Sequence, residues 1–178
     1  MEGEELGMTS SHFIKTPLGV LEAVYSGKGL LSLSLVDEGK KEEFSGLCNV
    51  EGNEWFAALK TNINDHFYGR NPGKMNIVLD MEGLSPFRRR VYEALMKVPF
   101  GEVVTYGELA ARAGCPGGAR AVGNAMNANP YLIIIPCHRV VASGSRKGKP
   151  GLGGFGAGLD AKRFLLRLEG HQDDIDDL

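Results

Sequence analysis

Ile133-Ile134-Ile135-Pro136-Cys137-His138-Arg139-Val140-Val141 is the stretch on which the reading of this chain turns. From Leu132 to Ile135 every side chain is apolar and three are β-branched, which reads as a short buried strand. Pro136 has no N–H for a further ladder bond and turns the chain outward. Cys137 is delivered at that exit, followed by His138 and Arg139, groups that favour the ionised, nucleophilic form of a thiol. Free cysteine is otherwise among the most buried residue types, and a lone one in an apolar run is more often a packing hydrophobe than a reagent.

The sequence before this stretch reads as helical. Ser85-Pro86 is an N-cap with proline at N1, and Phe87, Val91, Ala94, Leu95 and Val98 continue at helical spacing until Pro99-Phe100-Gly101. Thr105 with Glu108 three residues on forms a capping box for a second helix, to Arg112, which Gly114 stops. A turn with Cys115 and Pro116 leads into a third helix, 117–127. Two short helices across a tight glycine-bearing turn have the form of a helix-turn-helix. The third is rich in small residues, Gly117, Gly118, Ala119, Ala121, Gly123, Ala125 and Ala128, so that only Arg120, Asn124, Met126 and Asn127 project. Each glycine costs about 1 kcal/mol against alanine, so tertiary packing must hold this helix. Its small side chains fit either tight packing on neighbouring helices or close approach to a narrow groove, with Arg120 reaching inside.

After Val141, residues 142–158 are rich in glycine and in lysine or arginine. The run lacks the Gly-Lys-Ser/Thr ending of a phosphate loop and, following a reactive cysteine, reads as the wall of a pocket for a planar ligand. Asp160 is expected to cap a last helix, with Phe164, Leu165 and Leu168 apolar, Glu169 at its end and Gly170 as C-cap. The acidic tail at 171–178 is expected to be disordered.

The first half has a different pattern. Short apolar segments broken by Thr16-Pro17-Leu18-Gly19 and Ser26-Gly27-Lys28-Gly29 predict a three-stranded antiparallel meander over 12–35, and the charged stretch 37–43 a loop. Trp55, Phe56, Leu59, Ile63 and Phe67 predict one helix covering the sheet, ended by Gly69, and Met75 to Leu79 is a candidate further strand. His12 and His66 have no partner spacing and read as ordinary surface or packing residues.

At 178 residues, 43% apolar and 24% charged, the chain fits one or two globular domains. No apolar run is long enough to span a bilayer, and the acidic start Met-Glu-Gly-Glu-Glu is unlike a secretory signal, so a cytoplasmic protein with reduced thiols is expected. Cys48, Cys115 and Cys137 show no paired spacing for disulfides or zinc. The net charge of -2 hides an asymmetry. Residues 1–83 carry 7 basic and 13 acidic side chains, residues 84–170 carry 13 and 5, and 171–178 carry 0 and 4. A basic middle segment is the footprint of a face that binds a polyanion.

Pro136-Cys137-His138-Arg139-Val140 resembles the signature of the O6-alkylguanine-DNA alkyltransferase family. The likeness runs from Ser85 to Gly170 through Pro99-Phe100-Gly101-Glu102-Val103, Thr105-Tyr106, Ala119-Arg120-Ala121-Val122-Gly123 and Asn129-Pro130. It implies an α+β architecture: a ribonuclease-H-like domain at 1–83, with a three-stranded antiparallel sheet and a covering helix, and a mostly helical, winged-helix-like domain at 84–170 that binds DNA. It implies a DNA-repair protein that flips O6-alkylguanine, with O4-alkylthymine a second candidate lesion, out of the duplex and transfers the alkyl group irreversibly to Cys137, once per molecule. Such a methylated-DNA–protein-cysteine methyltransferase needs no cofactor or metal and acts as a monomer on double-stranded DNA.

The resemblance also assigns roles. His138 would activate Cys137 across one bridging water, with Glu169 orienting the imidazole. Tyr106 would press on the 3' phosphate and supply a proton to the departing base, Asn129 would brace the turn beside Cys137, and Arg120 would fill the gap in the duplex. Ala119, Ala121, Gly123 and Asn124 would lie against the DNA. Met126, the carbonyls of Cys137 and Val140, and the loop of Phe155, Gly156 and Ala157 would hold the base. In Phe155-Gly156-Ala157-Gly158 the chain departs from the family pattern by lacking one phenol and carrying one extra methyl. A lesion-binding module without chemistry, a redox-sensing regulator and a cysteine hydrolase are the competing readings. The first lacks the cysteine, the second would need a dimerisation element, and adjacent Cys137 and His138 do not form the dyad of the third.

Overall fold

The computed structural model describes residues 9–36, 54–70, 75–144 and 151–171. The expected loop at 37–43, Cys48, the basic part of the glycine loop at 145–150 and the acidic residues 173–177 lie outside the described residues.

The meander forms as β1 (Ser10–Thr16), β2 (Gly19–Ser26) and β3 (Gly29–Leu35), antiparallel in the order β1-β2-β3. Alternation places Ile14, Leu21, Ala23, Tyr25 and Leu33 on the buried face, and a register shift between Val24 and Tyr25, with one extra residue in β3, brings Leu30 there too. There they meet Phe56, Leu59 and Ile63 of the covering helix α1 (Glu54–Phe67). Gly29, at φ +149°, opens β3 where an added Cβ would stand 2.6 Å from the Val78 carbonyl, so only glycine allows this approach. The segment from Met75 to Leu79 is not a strand. It meets β3 at the single parallel bridge Leu30–Leu79, with Leu30 N–H donating to Val78 O and Asp80 N–H to Leu30 O.

In the second half, α2 (Pro86–Leu95) starts at Ser85, whose hydroxyl accepts from Arg88 N–H, and ends before Val98. The capping box of Thr105 and Glu108 opens α3 (Tyr106–Arg112). The partner helix α4 (Ala119–Asn127) begins two residues later than the spacing suggests. Gly117 is in the left-handed region at φ +83°, and a Cβ on Gly118 would be 2.8 Å from Cys115 O, so both glycines make the turn rather than the helix. Asp160 does not cap α5 (Leu159–Leu168). Gly158 occupies that position with no side-chain cap, and Asp160 instead pairs with Arg163 within the first turn.

The largest correction concerns residues 132–135. They form no strand. Leu33 N–H donates to Pro130 O and Leu132 N–H to Leu33 O, a single parallel contact with β3. The chain then folds on itself, with Ile133 at φ +70°, Ile134 N–H on Leu132 O and Ile135 N–H on Tyr131 O. The run is apolar because it is buried on all sides, a cause that leaves the same mark on a sequence as a core strand. Pro136 therefore leaves no ladder; it caps the single 3-10 turn Cys137–Arg139. The ladder comes just after, where β5 (Val140–Val141) pairs in parallel with β4 (Val104–Thr105). One continuous core runs from Ile14 in β1 to Leu165 in α5, joining the two halves.

Candidate active site

Cys137 sits at the start of the 3-10 turn, 6% exposed. Its Sγ accepts a hydrogen bond from Asn129 Nδ2 at 3.1 Å. The same amide nitrogen donates to Ile135 O at 2.9 Å, while Asn129 Oδ1 accepts from Tyr131 N–H at 3.0 Å. Asn129 thus ties both ends of the buried turn together and aims one donor at the sulfur. Burial pushes the thiol pKa up; the Asn129 hydrogen bond and the Lys162 charge oppose that without cancelling it. The resting sulfur is therefore protonated.

His138, the next residue, is fully buried and faces away from solvent toward the end of α5. Its Nε2 lies 2.8 Å from Glu169 Oε1. An ionised carboxylate can only accept, so Nε2 carries the proton and Nδ1 is the basic nitrogen. Nδ1 is buried and makes no hydrogen bond among the described residues. Arg139 grips the same carboxylate through two nitrogens, Nε to Oε2 at 2.8 Å and NH2 to Oε1 at 2.9 Å, and its NH1 donates to Val98 O. Gly101 N–H adds a donor to Oε2. Burial pushes the Glu169 carboxyl up, but the hydrogen bonds and charges of His138 and Arg139 reverse this and hold it down at about 2. Burial keeps His138 below its ordinary value despite Glu169, so at neutral pH the imidazole is uncharged and Arg139 is the cation that holds Glu169 ionised.

Two buried residues here have no functional part in the sequence reading, which passes over Lys162 and takes His66 as an ordinary surface or packing residue. Lys162 of α5 is wholly enclosed, and its Nζ donates to Val140 O at 2.6 Å, to Gly154 O at 3.3 Å and to Leu152 O. Burial lowers it to about 8. It pins the strand after Cys137 to the glycine loop. Its signal was its place on the buried stripe of α5 with Leu165, Leu166 and Glu169, where a lysine needs a special partner. The other is His66 of α1, whose Nε2 comes within 3.9 Å of Glu169 Oε1. His66, His138 and Glu169 bring ligand-type atoms within 4.8 Å of one another. Arg139 occupies both oxygens of that carboxylate with a fixed positive charge, so a metal cation would be repelled, and the cluster is built to handle a proton.

Cys137 faces two adjoining clefts. The narrower, about 50 Å³, is lined by Tyr106, Gly123, Met126, Asn127, Gly154 and Phe155 besides Cys137. Tyr106 opens α3; its hydroxyl donates to Gly154 O at 3.3 Å, and a Cβ on Gly153 would be 2.8 Å from its ring. Burial raises the Tyr106 pKa, so it keeps its proton at neutral pH. Gly156 and Ala157 line the wider cleft, about 250 Å³, on the side of β3. Val140 lines neither; it is fully buried and its carbonyl accepts from Lys162.

The outer face of α4 presents Arg120, Ala121 and Asn124 to solvent, with Ala119 and Gly123 half-buried. Arg120 makes no hydrogen bond or ion pair among the described residues. No helix among them is long and apolar enough to cross a membrane.

Comparison with known proteins adds independent observations. The family described as the DNA-binding domain of 6-O-methylguanine DNA methyltransferase matches residues 86–171. A methylated-DNA–protein-cysteine methyltransferase from Mycolicibacterium paratuberculosis is 38% identical over 156 residues, 88% of this chain and 89% of that protein. One from Methanosarcina acetivorans is 36% identical, over 88% of this chain and 95% of the relative. Among solved structures, the O6-methylguanine methyltransferase of Mycobacterium tuberculosis superposes with a TM-score of 0.74 at 35% identity, covering 95% of this chain and 97% of its own. The same organism's OGT in complex with DNA gives 0.71 at 34% identity, over 89% and 91%.

Proposed function

The chain belongs to the methylated-DNA–protein-cysteine methyltransferase family, which repairs DNA by alkyl transfer to cysteine, and we propose that Cys137 is its acceptor, with O6-alkylguanine in duplex DNA as substrate. The observation that carries this is the placement of one thiol at the meeting of two clefts, held by Asn129, beside a histidine whose basic nitrogen has no hydrogen-bond partner among the described residues.

The O6 atom lies on the pairing edge of guanine, so the base must leave the stack to react. Residues 84–170 form the unit that does this, and residues 1–83 support it. The exposed face of α4 enters the groove, its small side chains allowing close approach while Arg120 takes the place of the extruded base. The base stacks in the cleft between Tyr106 and Phe155. Cys137 Sγ passes its proton to His138 Nδ1 across one bridging water, because adjacent residues project in different directions. Glu169, held by Arg139, stabilises the imidazolium. The sulfur lone pair then attacks the alkyl carbon and the carbon–O6 bond breaks. The electron pair of that bond stays with guanine, which takes its proton from the Tyr106 hydroxyl. The new thioether has no leaving route, so each monomer acts once.

Incubation with O6-methylguanine duplex should add one methyl group to each molecule, mapped by mass to Cys137, and then stop. Cys137→Ser should abolish the adduct and keep duplex binding. Continued turnover by one molecule would overturn the mechanism.

A further inference from the structure

The first half of the chain contributes a histidine to the relay behind Cys137. His66 is completely buried on α1, and neither ring nitrogen has a hydrogen-bond partner among the described residues. Its ring meets Phe67, Phe100 and His138 edge to face, at centroid distances of 5.8, 5.7 and 5.8 Å. A leucine or phenylalanine would fill such a hole without leaving two buried nitrogens unsatisfied, each a cost to stability. The polar feature that ring approaches is Glu169 Oε1, 3.9 Å from Nε2, the same oxygen that orients His138.

The charged and titratable groups around it are Glu169 from the end of α5 and His138 and Arg139 from the 3-10 turn, with Lys162 and Cys137 beyond His138. Burial first, then His138 and Arg139, lower the His66 pKa to about 4 against the pull of Glu169, so at neutral pH it is a neutral ring with one N–H. Beside an anionic oxygen that hydrogen belongs on Nε2.

We propose that His66 is a positioning residue that restrains Cys137: its Nε2–H faces Glu169 Oε1, competes with His138 for that charge, and so weakens His138 as the base. This rests on the alkyl-transfer reading and gives the restraint a purpose. A protein that spends its acceptor thiol irreversibly must keep that thiol protonated until the flipped base arrives. Removing the competing donor leaves more of the carboxylate's charge to His138, raises its basicity, and populates thiolate and imidazolium in the resting protein.

The test uses the full chain with iodoacetamide, an electrophile that needs no DNA, and Cys137 modification followed by mass. His66→Leu should modify Cys137 about three to ten times faster than wild type at neutral pH, the change expected where one hydrogen bond to a carboxylate is redistributed. His66→Gln, which keeps a donor at the Nε2 position, should stay near wild type. Nitrogen NMR of the wild type should show His66 neutral and protonated on Nε2, a readout independent of how either variant folds. Equal or slower modification in His66→Leu, or a proton on Nδ1 of His66, would overturn the proposal. Failure of wild type to take a methyl group from DNA would overturn the functional reading instead, while leaving the iodoacetamide comparison to judge His66.

Discussion

The relay behind Cys137 and the outer face of α4 are built on opposite terms. Behind the sulfur, His138, Arg139 and Glu169 are buried, and each is bound to the others or to backbone at hydrogen-bond distance. On α4, Arg120 and Asn124 stand in solvent and Arg120 has no partner among the described residues. A buried ion cluster is costly to assemble and costly to break, so its geometry is complete in the folded chain. An exposed arginine costs nothing to hold in water and becomes useful only against another molecule. Chemistry and DNA recognition are thereby placed on separable sets of side chains.

The sharpest way to break that separation is Arg120→Ala. It should leave thermal stability unchanged and slow repair in duplex DNA by about tenfold or more, because filling the gap offsets an unstacking cost of a few kcal/mol. Alkylation by a free O6-alkylguanine base, which needs no flipping, should hardly change. Equal losses on the two substrates, measured as single-turnover rates, would show that α4 also shapes the catalytic cleft.

Glu169→Gln tests the other side. Removing the charge leaves the Arg139 guanidinium buried without its counter-ion, and the fold should lose about 3 kcal/mol in urea unfolding. His138 loses its orienting anion, so alkylation by the free base should slow at neutral pH and recover in part at high pH, where thiolate forms unaided. A variant of wild-type stability with an unchanged rate profile would reduce Glu169 to a helix end. DNA affinity should be spared at a temperature where the variant is folded.

The two sides also differed in how much of them could be read from sequence. Arg120 and the small residues of α4 are local features, and capping signals at Ser85 and Thr105 placed the helices around them. The meander was legible because a sheet with one buried face alternates, as Ile14, Leu21, Ala23, Tyr25 and Leu33 do. The relay was not legible in this way. Glu169 meets His138 across 31 residues, and only the family resemblance pointed to it. His66 arrives from another helix altogether, and the place of Lys162 on the buried stripe of α5 does not tell that its ammonium meets three carbonyls. Residues 132–135 misled for a related reason: enclosure on all sides produces an unbroken apolar run whether the backbone is extended or folded back. The parallel contacts of Leu33 with Tyr131 and of β4 with β5 join segments whose pairing no local pattern records.

The smallest expected effect is in the acid limb of stability, and it belongs to the relay alone. In the unfolded chain His66 and His138 would take protons near their ordinary 6.5, whereas in the fold His66 resists protonation down to about 4 and His138 is likewise lowered. The unfolded state then binds more protons, so stability falls as pH drops below about 6.5. Glu169 acts lower down: its folded value of about 2 lies under its ordinary 4.5, so its contribution is intact above about 4.5 and drains away toward 2. Two successive stages of acid loss follow, the upper from imidazoles and the lower from the carboxylate. His66→Leu should remove its share of the upper stage, gaining about 1–3 kcal/mol relative to wild type near pH 4.5 and less at neutral pH. Arg120→Ala should reproduce the wild-type limb throughout. Urea midpoints measured across this range decide it, and a His66→Leu curve parallel to wild type between about pH 4.5 and 7 would mean that His66 is protonated in the fold and that its ring does not face Glu169 as a neutral donor.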